Sequence, residues 1–287
     1  MRRARPAIRR SYPPVTGRSG AGGPPVSRRT PVFVGSPVYR RAAYGANHPL
    51  AIPRVATVMD LCESLGWLDD GNFRESPPAT IDELARFHTR DYIGALRASE
   101  AAGRVEPEVR ERYNLGTREN PVFPGLFERA ATSVGGSILA AKLALAHGVA
   151  YHPSGGTHHG RPGRASGFCY FNDPVFAILS LLDEGVQRVL YVDLDAHHGD
   201  GVQDAFADEP RVSTISIHEA DRWPYTGPAD DCGGGQARNF PVPRGFNDSE
   251  LDFLTDCAVL PVAARFAPEA VVVTCGADGL AGDPLSG

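Results

Sequence analysis

Hydrophobic residues occur along the chain in two alternating arrangements. Short, almost uninterrupted runs rich in β-branched residues predict strands, at residues 31–34, 149–152, 188–195, 212–218, 239–243 and 270–275. Longer segments of helical composition predict helices, at residues 55–65, 81–88, 125–147 and 174–184. Because strands covered on both faces lose the alternation of polar and apolar residues, these runs predict a parallel sheet within one α/β domain. In such sheets ligands bind at the carboxyl ends of the strands.

Residues that favour helix ends mark several of these boundaries. Thr80 and Glu83 have the spacing of a capping box for the helix that follows them. Gly66 comes directly after the first helix, as a C-terminal stop. Asp173 is predicted to cap the helix at 174–184, with Pro174 at its first position.

The first thirty residues differ in composition from the rest. They are rich in Arg, Pro, Gly and Ser, which predicts a disordered basic tail at 1–30 and a folded domain at 31–287. The net charge is −5, but residues 1–29 contain eight arginines and no acid, so residues 30–287 carry −13. This acidic body can attract a cationic ligand such as a basic peptide or a polyamine, with a merely solvated surface as the alternative. Its basic residues form no cluster with interleaved aromatics, so direct nucleic-acid binding is not expected.

Neither the apolar stretches nor the cysteines indicate a membrane or secreted protein. No stretch reaches about 18 uninterrupted apolar residues, and no apolar segment of a signal peptide follows the N-terminal arginines. The five cysteines are scattered and form no CxxC pair, at positions 62, 169, 232, 257 and 275. This pattern favours reduced thiols in a cytoplasmic protein over a disulfide framework or a Cys-ligated zinc site.

The segment Val189–Val202 contains the strongest indication of chemistry. Side chains along a strand alternate between faces, so Asp193, Asp195 and His197 project to one side while the strand lasts. Two carboxylates and an imidazole are costly to bury together without a cation, because the carboxylates repel each other and lose hydration. A salt-bridge network is the alternative, but the run contains no Lys or Arg. The segment therefore predicts a metal site with oxygen and nitrogen ligands.

Two further segments add candidates to this site. The glycine-rich loop Gly155–Gly160 can direct both of its histidines, His158 and His159, into one pocket, where a neighbouring carboxylate would suit them for acid/base work. The last predicted strand leads to Asp278, for which a helix N-cap is the alternative role. Two aspartates and one histidine leave an open position for water, which is the catalytic pattern of zinc coordination.

Seven ordered segments resemble the histone deacetylase family, which includes acetoin-utilisation proteins and acetylpolyamine amidohydrolases. They are Asn47–Arg54, Phe87–Ile93, Glu119–Phe123, Gly155–His159, Gly167–Asp173, Asp193–Gly201 and Gly276–Asp283. The resemblance covers nearly all of residues 31–287. It implies the three-layer α/β fold of arginases and deacetylases, with a mostly parallel central sheet.

The resemblance also implies a role for individual residues. Asp195, His197 and Asp278 match the metal ligands, and His158 and His159 match the catalytic pair, with Asp193 and Asp200 as carboxylate partners. A monovalent-cation site is matched by Asp193, Asp195, His197, Ser216 and Ile217. The substrate-binding positions are Glu119, Gly167, Phe168 and Trp223, and Arg54 matches a buried arginine near the product exit.

The activity that the resemblance implies is metal-dependent hydrolysis of an N-acetyl or other acyl amide, on an acyl-lysine or a small acetylated amine. Zn²⁺ is the expected ion, with Fe²⁺ possible on the same ligands, and K⁺ or a similar ion is possible at the second site. A ureohydrolase of the same fold and a non-catalytic metal-binding protein remain as alternatives.

The resemblance breaks off near the end of the sequence. In the family a glycine-rich strand end bearing an oxyanion-stabilising Tyr follows the segment that contains Asp278, and no such motif occurs here before Gly287. The expectation is therefore a C-terminally incomplete catalytic domain of low activity, since loss of one oxyanion donor costs roughly 10²–10³ in rate.

Overall fold

A computed structural model describes residues 30–41, 44–45, 48–283 and 286 of the protein. The basic tail predicted at 1–30 lies outside the described residues, except for Thr30. Within the described part, parallel strands alternate with helices, so the predicted α/β class is confirmed.

The strands form two parallel sheets. The first has the order β2-β1-β3, and its strands are β1 (Val32–Gly35), β2 (Phe73–Glu75) and β3 (Ala150–Tyr151). The second has the order β6-β5-β4-β7, and its strands are β4 (Val189–Asp193), β5 (Val212–Glu219), β6 (Ala237–Val242) and β7 (Ala270–Thr274). The sequence predicted a single sheet, and it missed the short β2.

Helices fill the connections between the strands. Their bounds are α1 (Arg54–Ser64), α2 (Ile81–Leu84), α3 (Arg90–Ala102), α4 (Pro107–Tyr113), α5 (Leu126–His147), α6 (Asp173–Asp183), α7 (Asp200–Ala205), α8 (Asp248–Leu254) and α9 (Leu260–Phe266), with a π-helical segment (Thr255–Val259) before α9. Both parts of the predicted capping box at Thr80 and Glu83 are present, although α2 ends at Leu84 rather than at His88. The helices α3, α4, α7, α8 and α9 were not predicted.

The cap of α6 differs from the prediction. Asn172, not Asp173, caps this helix, because its side-chain oxygen accepts a hydrogen bond from the Val175 amide at 3.3 Å. Asp173 is the first helical residue, and its carboxylate is bonded elsewhere. Either residue type suits an N-cap, so sequence preference could not choose between neighbours.

Helices cover both faces of the second sheet, which accounts for the uninterrupted apolar sequence of its central strand. Val189 and Tyr191 of β4 pack with α6 on one face. Leu190 and Val192, which alternate with them, pack on the other face with α8, the π-helical segment and α9. This arrangement gives three layers and places the carboxyl end of β4 at the edge of the core.

Apolar side chains are exposed on an edge strand of each sheet. On β7, Val271 and Val273 are about half exposed, and Tyr151 on β3 is similarly open. No described strand pairs with the outer edge of β7. Among the described residues, no helix is both long enough and apolar enough to span a membrane.

Candidate metal centre and histidine pair

Three predicted ligands from two strand ends meet at the carboxyl edge of the second sheet. Asp195 and His197 follow β4, and Asp278 follows β7, which pairs with β4 in parallel. One potential ligand atom from each residue lies within 4.8 Å of the other two. Nδ1 of His197 is 2.9 Å from Oδ1 of Asp195 and 2.8 Å from Oδ2 of Asp278. The spatial arrangement predicted from sequence is therefore present.

The electrostatics of this cluster favour a cation at its centre. Burial lowers the pKa of His197, but hydrogen bonds and charge from Asp195 and Asp278 outweigh it and raise the pKa to about 9. Burial raises the pKa of Asp278, but hydrogen bonds from His197 and the Ala196 amide bring it well below its usual value. Two carboxylates around one imidazole are a donor set that suits zinc, and their number leaves a coordination position open. The residues present therefore fit a mononuclear divalent ion.

His158 lies beside this cluster and is tied to Asp193, the last residue of β4. Its Nδ1 is 2.6 Å from Oδ2 of Asp193, and its Nε2 is 3.8 Å from Oδ1 of Asp195. The phenol of Tyr191 donates to the same Asp193 oxygen at 2.6 Å. Burial lowers the pKa of His158, but the charges of Asp193 and Asp195 outweigh it and raise the pKa to about 10.

His159 has a second carboxylate partner. Its Nδ1 is 2.7 Å from Oδ1 of Asp200, the first residue of α7, and its ring centroid is 3.9 Å from that of His158. Arg161 forms an ion pair with the other oxygen of Asp200. Burial and the neighbouring charge of His158 lower the pKa of His159 to about 4, despite the attraction of Asp200. The two adjacent imidazoles therefore have opposite pKa shifts, which is the arrangement of an acid/base pair with divided roles.

Two of the four predicted substrate-binding residues lie against the histidines. The ring centroid of Trp223 is 4.7 Å from that of His159 and 6.1 Å from that of His197. A Cβ atom on Gly167 would lie only 2.5 Å from the Trp223 ring and 2.6 Å from His159, so the backbone passes close to both. Gly167 also has a positive φ of 53°, which L side chains rarely adopt.

The remaining predicted substrate and exit residues lie farther out. Phe168 packs edge-on against His48, with 4.8 Å between ring centroids. The carboxylate of Glu119 accepts hydrogen bonds from the Gly167 amide and the Asn114 side chain, both at 2.8 Å. Arg54 was expected to be buried, but its side chain is 34% exposed, and it forms a 2.9 Å ion pair with Asp283. It stands at the first position of α1, where a long side chain can reach solvent.

The five residues matched to a monovalent-cation site are adjacent in space. Asp193 on β4 is paired in register with Ser216 on β5, and Ile217 follows Ser216. Asp195 and His197 lie beyond the end of β4 on the same edge.

Several polar residues near the site were missed from the sequence. Five of them bond to a site residue or to the loop that contains the histidines: Tyr191, Arg161, Thr157, Asn172 and Asp173. For Tyr191 a signal exists, since it stands two residues before Asp193 on the same strand face. The others bond across loops, and no spacing rule connects them to their partners.

A parallel α/β sheet whose strand ends bring together an Asp–His–Asp set and two carboxylate-paired imidazoles defines the class: an α/β protein with a candidate mononuclear metal centre. The profile of the histone deacetylase domain matches residues 48–287. The chain is 40% identical over 267 residues to the acetoin utilization protein AcuC of Bacillus subtilis, a match that covers 90% of this chain and 68% of AcuC. It is 38% identical over 250 residues to histone deacetylase 1 of Homo sapiens, which covers 84% of this chain and 52% of that protein.

Solved structures agree with this assignment. A crystal structure of a histone deacetylase homologue complexed with SAHA has a TM-score of 0.83 at 38% identity, covering 89% of this chain and 70% of the other. A homologue from Aquifex aeolicus has a TM-score of 0.79 at 37% identity, covering 85% and 68%. The protein belongs to the histone deacetylase family. It spans about half the length of the curated histone deacetylases that it matches.

Proposed function

We propose that the protein is a metal-dependent deacylase that hydrolyses the N-acetyl or N-acyl amide of an acyl-lysine or of a small acetylated amine. The observation that carries the proposal is the meeting of Asp195, His197 and Asp278 beside two imidazoles that are each held by a carboxylate. Zinc is the proposed ion and Fe²⁺ the alternative, since the donor set accommodates both. A zinc ion on these ligands would polarise the acyl carbonyl and acidify a bound water.

The two histidines have different proposed roles. His159 is the general base, because burial and the charge of His158 lower its pKa and keep the ring neutral at neutral pH, while Asp200 orients its Nδ1. Its other ring nitrogen would accept a proton from water and later return it to the leaving amine. His158 is the electrostatic partner, because Asp193, 2.6 Å from its Nδ1, outweighs burial and raises its pKa, which favours a positive ring near the developing negative charge.

The proposed substrate class rests on the surroundings of the site. Two aromatic residues offer surface to an apolar chain such as that of lysine: Trp223, which lies against His159, and Phe168, which follows Gly167 in the chain. The charge of −13 on residues 30–287 favours a substrate that is cationic elsewhere, such as a basic peptide or a polyamine. The name of one group of relatives, histone deacetylase, supports the same chemistry.

Two further assignments belong to this proposal. The first is a site for K⁺ or a similar ion beneath the divalent centre, which would be held by Asp193, Asp195, His197, Ser216 and Ile217. Their adjacency at the ends of β4 and β5 supports this role. We also propose a cytoplasmic location, supported by five free cysteines at positions 62, 169, 232, 257 and 275.

The proposal is tested with the zinc-loaded chain on an acetyl-lysine peptide and on an N-acetylated polyamine. We expect acetate release from at least one substrate and a loss of about 10²–10⁴-fold in kcat for His159→Ala, the usual contribution of a general base. His147→Ala, at the end of α5, is the control for loss of a histidine elsewhere. Undiminished turnover by His159→Ala would refute the role of His159.

The same preparation distinguishes the rival functions. A ureohydrolase would release urea from a guanidino substrate and would need a second metal, whereas the described residues contain one candidate ligand group. A non-catalytic member would bind one equivalent of zinc without hydrolysing any acylated substrate.

A further inference from the structure

The loop that contains His158 and His159 is held by its backbone rather than by its side chains alone. Asp173, at the start of α6, accepts hydrogen bonds from the Gly156 amide at 3.2 Å and the Thr157 amide at 2.7 Å. The hydroxyls of Thr157 and Ser137 also lie within hydrogen-bond distance of its carboxylate. Asp173 is 1% exposed, and a carboxylate so deeply buried is tolerated because these donors replace its hydration.

Asn172 holds the other half of the same loop. Its side-chain NH₂ donates to the carbonyl of His158 at 2.9 Å and to that of Gly160 at 3.0 Å. Its backbone amide donates to Nε2 of His88, whose Nδ1 in turn lies 2.9 Å from the Arg161 carbonyl. Asp173 thus binds the backbone amides before the histidine pair, and Asn172 binds the backbone carbonyls at and after it.

Close packing prevents the loop from shifting relative to this support. A Cβ atom on Gly155 would lie 2.8 Å from Oδ2 of Asp173, and one on Gly160 would lie 2.9 Å from the Asn172 nitrogen. On the opposite side, a Cβ atom on Gly201 would lie 2.4 Å from the His158 carbonyl oxygen. The loop is therefore enclosed between α6 and the start of α7.

We propose that Asn172 and Asp173 are positioning residues that fix the two catalytic imidazoles through the backbone of residues 156–160. The role of Asp173 is separable from helix capping, because Asn172 provides the cap of α6. Among the described residues, the hydrogen bonds of Asn172 and Asp173 involve the histidine loop, His88, Ser137 and Val175, and none involves a candidate metal ligand. The inference rests on the proposed function for its kinetic part, whereas its structural part can be tested without any activity.

The test compares four variants of the zinc-loaded chain. Asp173→Asn keeps the shape but replaces one acceptor oxygen by a donor group facing the amides. Thr157→Val removes the hydroxyl with little change of volume, and Thr157→Ser retains it as the conservative rescue. Asp183→Asn, at the exposed far end of α6, is the matched control, since its carboxylate pairs with Arg86 on the surface.

Three measurements are made on each: zinc stoichiometry, kcat and KM, and hydrogen–deuterium exchange of the peptide that contains Gly156 and Thr157. For Asp173→Asn we expect full zinc occupancy, KM within about 3-fold, and a fall in kcat of roughly 10²-fold, the effect of about 1 Å of misplacement. Exchange at the two amides should accelerate, and Thr157→Ser should recover most of the kcat that Thr157→Val loses.

Exchange and kcat at wild-type levels in Asp173→Asn would overturn the proposal, as would zinc loss that accounts for the whole fall in activity. An equal loss in Thr157→Ser and Thr157→Val would count against it in the same way. Should the parent chain release no acetate, the proposed function fails, while amide exchange still decides whether Asp173 holds the loop. Should Asp173→Asn not fold, the Thr157 pair carries the test.

Discussion

Gly276→Ala should weaken metal binding without changing any ligand. Gly276 stands two residues before Asp278, and a Cβ atom built on it would lie 1.9 Å from Oδ2 and 2.5 Å from Cγ of Asp195. No side-chain atom can remain at that distance, so the Asp195 carboxylate must move away from the added methyl group. The substitution therefore acts on one candidate ligand through contact alone.

The size of the effect follows from the displacement. Ordinary van der Waals contact begins near 3.4 Å, so the carboxylate must shift by about 1.5 Å. Metal–ligand distances tolerate only about 0.2 Å, so a shift of this size removes or distorts one of three protein ligands. We expect zinc affinity to fall at least as far as when a supporting residue is lost, about 10- to 100-fold. Overpacking should also cost about 1–3 kcal/mol of folding stability.

Competition with a chromophoric zinc chelator measures the affinity, and metal analysis gives the stoichiometry. Gly279→Ala is the control in the same loop, because a Cβ atom there meets nothing within 4 Å. Zinc binding by Gly276→Ala as tight as by Gly279→Ala would refute the reasoning, since it would mean that Asp195 is free to move or is not a ligand.

Three other outcomes are expected. Gly167→Ala combines a positive φ of 53° with a contact of 2.5 Å between the added Cβ and Trp223. Chemical denaturation should therefore show a loss of about 2–4 kcal/mol in folding stability. Gly163→Ala is the control and should show little loss, because its Cβ would have room. Burial lowers the pKa of His88 from 6.5 to about 4; the folded state therefore resists the proton that the unfolded chain accepts, and stability falls as the pH drops through this interval. The wild type should therefore lose about 3 kcal/mol of folding stability relative to His88→Leu as the pH falls from about 7 to about 4. A stability difference that does not change with pH would contradict this. Removing zinc with a chelator should lower the unfolding free energy by about 2.7 kcal/mol relative to protein in free zinc at 100 times the dissociation constant. An unchanged melting temperature would argue against a zinc site specific to the folded state.

Much of the second sheet could be read from the sequence, for a physical reason. The strands β4 and β5 are buried on both faces, so their apolar runs are uninterrupted, and both were predicted to within two residues. The strand predicted at 149–152 is only Ala150–Tyr151, and Tyr151 is half exposed instead of buried. Strand β2 has three residues and no apolar run, so its pairing with β1 depends on contacts distant in sequence.

The candidate site was predictable where chemistry is concentrated in the sequence, and not where it depends on loops. Asp195 and His197 are close together in one segment, and Asp278 ends another strand of the same sheet, so parallel topology brings them together. The exposure of Arg54 and the inward bonds of Glu119 follow from packing that no local pattern encodes. The same holds for Asp173, whose carboxylate bonds to the Thr157 amide rather than to the helix that it was expected to cap.

The position of Trp223 has a consequence for how the protein can be observed. The chain has two tryptophans, and Trp67 is 62% exposed, whereas the Trp223 indole lies edge-on to His159. The fluorescence of Trp67 is therefore a constant background, while the fluorescence of Trp223 depends on the charge of His159 and on what occupies the site beside it. Fluorescence intensity of the unlabelled protein should thus serve as a direct optical titration of ions and inhibitors entering that site.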